Sequence, residues 1–220
     1  MKNIRIEKIA DMVKKGMIVA DIGTDHALLP ILLIKQSKCS KVYACDISKG
    51  PLESAKKNIE KENYSDYIDT ICSNGFENVP MDASGAVIAG MGYLTAKQIL
   101  EDAKDRLSCF QQIITEINRD PQLMRQWISL NHYTIDDETY VYEKGHDYVI
   151  ISFNTHYHDS YTDEEIELGP ILKYSNDKEY LKYLNSLLNK CKTILDKSNG
   201  NPANKDILVK RKMILENYLK

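Results

Sequence analysis

The sequence predicts an α/β protein: a doubly wound, mostly parallel sheet ending in an antiparallel hairpin, followed by a coiled-coil-like α-helical hairpin at the C-terminus. Three observations predict it. Five short apolar runs (17–23, 41–46, 67–72, 84–90 and 111–117) alternate with helix-like segments, and strands apolar on both faces belong to parallel sheets covered by helices. Two strand-like stretches within 133–153 meet at Lys144–Gly145 with no room for a helix between them, which is the mark of an antiparallel pair. From Tyr180 to Leu195, apolar residues return every three or four positions, as on one face of a helix.

Taken in order, Ile6, Ile9, Ala10 and Val13 have helical spacing, and Gly16 ends that helix. The run at 17–23 ends in an acid and a glycine, and 27–36 reads as a buried helix before the second strand at 41–46. Ser48 and Pro51 stand at the cap and first turn of a third helix with a lysine-rich polar face. Further helices are expected around 94–105 and 121–130, where Trp127 joins Met124 and Leu130 as core. The stretch 155–170 is polar and acidic and ends in Gly169–Pro170, the composition of a linker. Asn199–Gly200–Asn201–Pro202 separates the last two helices. Residues 1–158 and 159–220 are the expected domains.

With 220 residues, 43% hydrophobic and 28% charged, the chain is neither disordered nor fibrous, and a chain of this length buries roughly 70% of its unfolded surface. No run of about 18 apolar residues occurs, and charge alternates with apolar residues from the start, so a soluble, cytoplasmic protein without a membrane partner is expected. Its five cysteines form no C-x-x-C pair, which points to buried thiols and excludes a disulfide framework or zinc site. His156, His158 and Asp159 lack a further ligand in a polar stretch, so no metal is expected. The net charge of −3 hides an asymmetry: residues 171–220 hold eleven Lys or Arg against five acids, and residues 1–170 hold 18 against 27. Such a basic segment is a footprint for nucleic acid, or simply a solvated face.

In doubly wound sheets ligands collect beyond the carboxyl ends of the strands. The first strand ends in Asp21–Ile22–Gly23–Thr24–Asp25–His26, the second at Asp46, the third before Ser73–Asn74–Gly75, and the fourth in Ala89–Gly90–Met91–Gly92. Gly23 permits a tight turn, and Asp46 can accept both hydroxyls of a ribose. A dinucleotide site needs G-x-G-x-x-G for its pyrophosphate, but the second and third positions are Asp25 and Leu28. Carboxylates repel a pyrophosphate and attract the sulfonium and ammonium of S-adenosylmethionine, so the residues favour that cofactor over a nicotinamide one. The competing reading is that Asp21 and Asp25 merely cap the following helix.

Asp21–Ile22–Gly23–Thr24–Asp25–His26–Ala27, Asp46, Ser48–Lys49–Gly50–Pro51–Leu52, Asn74–Gly75 and Ile88–Ala89–Gly90–Met91–Gly92 resemble the bacterial tRNA (adenine-N1)-methyltransferases acting at tRNA position 22. The resemblance extends over the whole chain, including a helical annex preceded by Leu168–Gly169–Pro170. It implies a Rossmann-like class I methyltransferase, dependent on S-adenosylmethionine, that binds tRNA as a monomer or weak homodimer. Asp21, Gly23, Asp46, Ile47, Asn74, Gly75, Ala89, Gly90 and Met91 then hold the cofactor, and Asp25 is the catalytic acid beside the reacting base. Arg5, His26, Gly92, Tyr93 and Asn118 fall to the base, and Lys190, Lys192, Lys197, Lys210, Arg211 and Lys212 to tRNA phosphates.

Three positions depart from the family pattern: Tyr93 in place of a further glycine, Glu116–Ile117–Asn118 in place of Gln-Pro-Asn, and Asn74 in place of an acid. Tyr93 would stack on the base, narrow the pocket or face the core. A non-catalytic module binding the cofactor or tRNA, and a small-molecule methyltransferase, are the alternatives. For N1 of adenine, the in-plane lone pair needs no general base. A carboxylate helps instead by offsetting charge on the ring, and the base must leave its paired or stacked position to react.

Overall fold

In the computed structural model, which describes residues 3–197 and 205–220, seven strands form one sheet in the order β3-β2-β1-β4-β5-β7-β6. The strands are β1 (Ile18–Ile22), β2 (Lys41–Asp46), β3 (Ile68–Cys72), β4 (Gly85–Met91), β5 (Gln112–Ile117), β6 (Tyr133–Glu143) and β7 (His146–Tyr157). The first five run parallel, and β7 pairs antiparallel with both β5 and β6. Strand order reverses at β1, between β2 and β4, so the carboxyl ends of those three strands frame the crevice. Neighbouring residues explain the apolar runs: Ala20, Ile88 and Ile113 enter one core and Val19, Val87 and Ile114 the other, on opposite faces of the sheet.

The helices that cover the sheet are α1 (Ile4–Met12), α2 (Leu28–Lys35), α3 (Lys49–Lys61), α4 (Tyr93–Asp102) and α5 (Pro121–Leu130). Asn3 caps α1, its Oδ1 accepting the Ile6 N–H at 3.1 Å. Helix α4 is shorter than its periodicity suggests and passes into a 3₁₀ turn at Lys104–Cys109. Lys144 and Gly145 at the hairpin tip both have positive φ, the backbone a two-residue hairpin turn requires. Trp127 is buried and donates from Nε1 to Glu101. Cys39, Cys45 and Cys191 are buried, but Cys72 and Cys109 are exposed, because each closes an element at the surface.

The acidic stretch expected to be a linker contains a helix, α6 (Asp163–Leu168). Thr162 and Glu165 bond reciprocally across its first turn, a capping box. After it come α7 (Lys178–Lys197) and α8 (Lys205–Tyr218), which pack on one another; the Asn199–Pro202 break lies outside the described residues. Helix α7 buries Tyr180, Leu184, Leu188 and Cys191 along one stripe, and Tyr180 and Tyr183 pack on Tyr140 of β6. These side chains join the same core as Ala20 and Ile88. No helix among the described residues is long and apolar enough to cross a membrane.

A buried ion pair fastens the annex to the sheet. Arg125 of α5 and Glu138 of β6 meet at 2.6 Å with their side chains almost fully buried. Glu138 Oε2 accepts the Ile171 and Leu172 N–H groups, and Arg125 Nη1 donates to the Ile166 and Glu167 carbonyls. Gly169 crosses directly above, with φ +83°; a Cβ there would stand 2.5 Å from Glu138 Oε2. This is the physical reason for the Leu168–Gly169–Pro170 signature.

Candidate active site at the strand tips

Asp21, the penultimate residue of β1, is almost buried, 7% exposed. Burial, reinforced by the Asp46 carboxylate and opposed by the Thr24 hydroxyl, pushes its pKa up to about 6. Among the described residues no Lys or Arg forms an ion pair with Asp21, Asp25 or Asp46. The turn after β1 folds onto β2: the Gly23 and Thr24 N–H groups both donate to the Cys45 carbonyl at 2.8 Å. Gly23 has φ +79°, and a Cβ there would collide with Met91 Cε. The positive φ is what favours glycine here, and its bare Cα also leaves room for the end of the Met91 side chain between the tips of β1 and β4.

The next residues, His26 and Ala27, are both left-handed, at φ 58° and 55°. Ala27 is the N-cap of α2 and no side chain caps that helix, so the acids of this turn are not capping groups. Asp25 stands exposed at the mouth, its Oδ1 3.3 Å from His26 Nε2. Asp46 is half-buried at the end of β2, and Oδ1 accepts the Ser48 N–H at 2.7 Å. Ser48 occupies the N-cap of α3 without a side-chain capping bond; its amide instead fixes the carboxylate. Ile47 beside it is 64% exposed.

Beyond β3, Asn74 is exposed and donates to Glu77, and Gly75 turns with φ +55° against Ile99. Arg106 holds this loop from outside, donating to the Phe76, Val79 and Pro80 carbonyls. The tip of β4 bulges at Gly90, where the register with β5 shifts. Asn118 Nδ2 donates to the Gly90 carbonyl, and the Asn118 N–H to that of Met91. Gly92 is the N-cap of α4. Tyr93 is half-buried and packs against the core, and burial with the nearby Glu101 carboxylate raises its phenol.

Two site residues sit differently from the sequence expectation. Arg5 is not a free cation: Nη1 is 2.5 Å from Glu116 Oε2, and the guanidinium lies over the Tyr148 ring. Arg211, 16% exposed, pairs with Glu167, because α8 lays it against α6. It braces the annex and is not open to a phosphate. Of the other annex cations, Lys192 and Lys212 share Glu216, and Lys210 meets Asp163. Lys190 and Lys197 have no acidic partner among the described residues. Lys190 lines a cleft of about 960 Å³ between annex and sheet, whose other wall includes Asn118, His146 and Tyr148. The sequence reading missed Thr24 and Tyr148, and took Glu116 only as a departure; a lone acid in a β-rich run holding three isoleucines was the available signal for Glu116. Among the described residues no group of His, Cys, Asp or Glu is placed to hold a metal.

The methyltransferase-domain family matches residues 2–151. The tRNA (adenine(22)-N(1))-methyltransferase of Bacillus subtilis (strain 168) is 32% identical over 148 residues, 67% of this chain and 62% of that protein, so the match spans less than two thirds of the relative. The structure of M. capricolum TrmK in complex with S-adenosyl-homocysteine superposes with a TM-score of 0.87 at 31% identity, over 100% of this chain and 98% of that one. That of the B. subtilis M1A22 tRNA methyltransferase TrmK gives 0.89 at 26%, over 100% and 99%.

Proposed function

Since the chain belongs to the methyltransferase-domain family, among the bacterial tRNA (adenine(22)-N1)-methyltransferases, we propose that it transfers a methyl group from S-adenosylmethionine to N1 of adenine 22 in tRNA. The observation that carries this reading is the set of carboxylates at the tips of β1 and β2, buried or half-buried and paired with no Lys or Arg among the described residues. Asp21 is held near pKa 6 by burial and by Asp46. A cation with no phosphate is the ligand that relieves this arrangement, and the residues fit S-adenosylmethionine on that ground. When bound, that molecule supplies an electrophilic methyl on a sulfonium.

The chain's own residues do the rest. Asp21 and the Gly23 turn receive the ammonium of the amino-acid end, and Asp46, with one oxygen fixed by Ser48, accepts the ribose hydroxyls. Asn74 and Gly75 border the cofactor's adenine. Asp25, exposed at the mouth, accepts from the exocyclic amine of the target base and offsets the charge its ring acquires. Residues 1–158 carry this chemistry and 159–220 the grip on RNA. Lys190 and Lys197, two of the annex cations without an acidic partner among the described residues, contact phosphates, and affinity falls as salt is added.

Incubation with labelled S-adenosylmethionine and unmodified tRNA, followed by nucleoside analysis, tests the reading. Label in 1-methyladenosine at position 22 supports it. Label in another nucleoside, or only in a small molecule, refutes it.

A further inference from the structure

Glu116 is the fifth residue of β5, a strand buried along its whole length, and is itself fully buried. Such a strand gains nothing from a carboxylate there, since a buried ion pair is often no more stabilising than apolar residues of the same volume. Its contacts point elsewhere. Oε2 accepts from Arg5 Nη1 at 2.5 Å and from the Gly90 N–H at 3.1 Å, while Oε1 has no hydrogen-bond partner among the described residues. Arg5 comes from α1, 111 residues away, and its guanidinium is 5.1 Å from the centre of the Tyr148 ring.

The Gly90 peptide is thus gripped at both ends, its N–H by Glu116 and its carbonyl by Asn118. Gly90 has φ +76°, and a Cβ there would lie 3.4 Å from Arg5 Nη1, so the guanidinium is seated directly on the bulge. The following residue, Met91, packs against Gly23. One carboxylate therefore links the first helix, the β4 bulge and, through Met91, the turn after β1.

We propose that Glu116 is a positioning residue for the methyl acceptor: by tying Arg5 to the Gly90 amide it sets the surface on which the target adenine rests, at a fixed height relative to the Gly23 turn. The inference rests on the proposed methyl transfer. What it needs from residue 116 is an acceptor oxygen shared by Arg5 and Gly90, which an amide also supplies.

The test compares wild type, Glu116→Leu, Glu116→Gln and Arg5→Met for kcat and KM with unmodified tRNA, with S-adenosylmethionine affinity measured by calorimetry. Glu116→Leu is expected to lose about 100-fold in kcat while cofactor affinity stays within about threefold, and Glu116→Gln to recover to within about threefold of wild type. If Glu116→Leu does not fold, Arg5→Met, whose change lies at a part-exposed side chain, must show the kcat loss by at least about tenfold. Full activity in Glu116→Leu or Arg5→Met, a loss that follows cofactor affinity, or a Gln variant as inactive as Leu each overturns the proposal. An inactive wild type overturns the proposed function and this inference together; an active wild type with an equally active Leu variant overturns the inference alone.

Discussion

The two halves of the sheet treat their acids in opposite ways. At the tips of β1 and β2, Asp21, Asp25 and Asp46 have no Lys or Arg partner among the described residues, and the Asp21 and Asp46 carboxylates act on one another. From β5 onward three enclosed acids each have an arginine, Glu116 with Arg5, Glu138 with Arg125 and Glu167 with Arg211, while buried Glu143 accepts the Ile4 N–H instead. An acid with a built-in cation belongs to the architecture, whereas one held half out of water without a cation is costly until a ligand supplies the charge. The contrast separates binding residues from bracing residues better than burial does, since Asp21 and Glu138 are nearly equally buried.

The most severe way to test the contrast is to remove one partner of the most buried pair. Arg125→Met leaves Glu138 charged and enclosed, and is expected to destabilise the protein by about 3–5 kcal/mol in denaturant unfolding; a change below about 1 kcal/mol would place Glu138 outside the bracing class. Asp21→Asn should act in the opposite direction. Its folded pKa of about 6 lies above the ordinary aspartate value of 3.8, so its contribution is fully favourable below pH 3.8 and is lost as pH rises through 6. The Asn variant should therefore be more stable than wild type at pH 7.5, by up to about 3 kcal/mol, with little difference at pH 4.

The same titration bears on the cofactor. A cationic ligand favours ionised Asp21, so calorimetry should show affinity for S-adenosylmethionine rising with pH up to about 6.5, by at most about tenfold per unit. Asp21→Asn should bind weakly and without that slope; a flat profile in the wild-type protein would remove Asp21 from the binding set. The smallest effect is expected from Lys210→Ala, which breaks an exposed pair with Asp163 and should cost less than about 1 kcal/mol.

Much of this was legible in the sequence where the signal is local. The apolar runs at 41–46 and 111–117 match β2 and β5 to within a residue, because strands buried on both faces leave an unbroken apolar record. The acids at the ends of β1 and β2 were legible because each lies at or within a few residues of a strand end. Helix α6 was missed although Thr162-x-x-Glu165 spells a capping box, since four of its six residues are acidic and the composition suggested a loop. The arginine pairs had no signature: Arg5 and Glu116 are 111 positions apart, and no spacing rule links side chains across elements whose packing is not yet known. For the same reason the annex lysines read as uniformly available, whereas several of them are occupied by acids brought in from α6, from the neighbouring annex helix or from the same helix.

The Arg125–Glu138 lock under Gly169 also bears on how this architecture can be recombined. A C-terminal helical module grafted from this chain onto a foreign sheet would carry the glycine but not its socket, which is split between α5 and β6. A chimera preserving only the loop sequence would bury Leu168 and Tyr180 against a surface with no anchor for the turn between them. The workable junction lies before Pro121, so that the socket travels with the helices it receives.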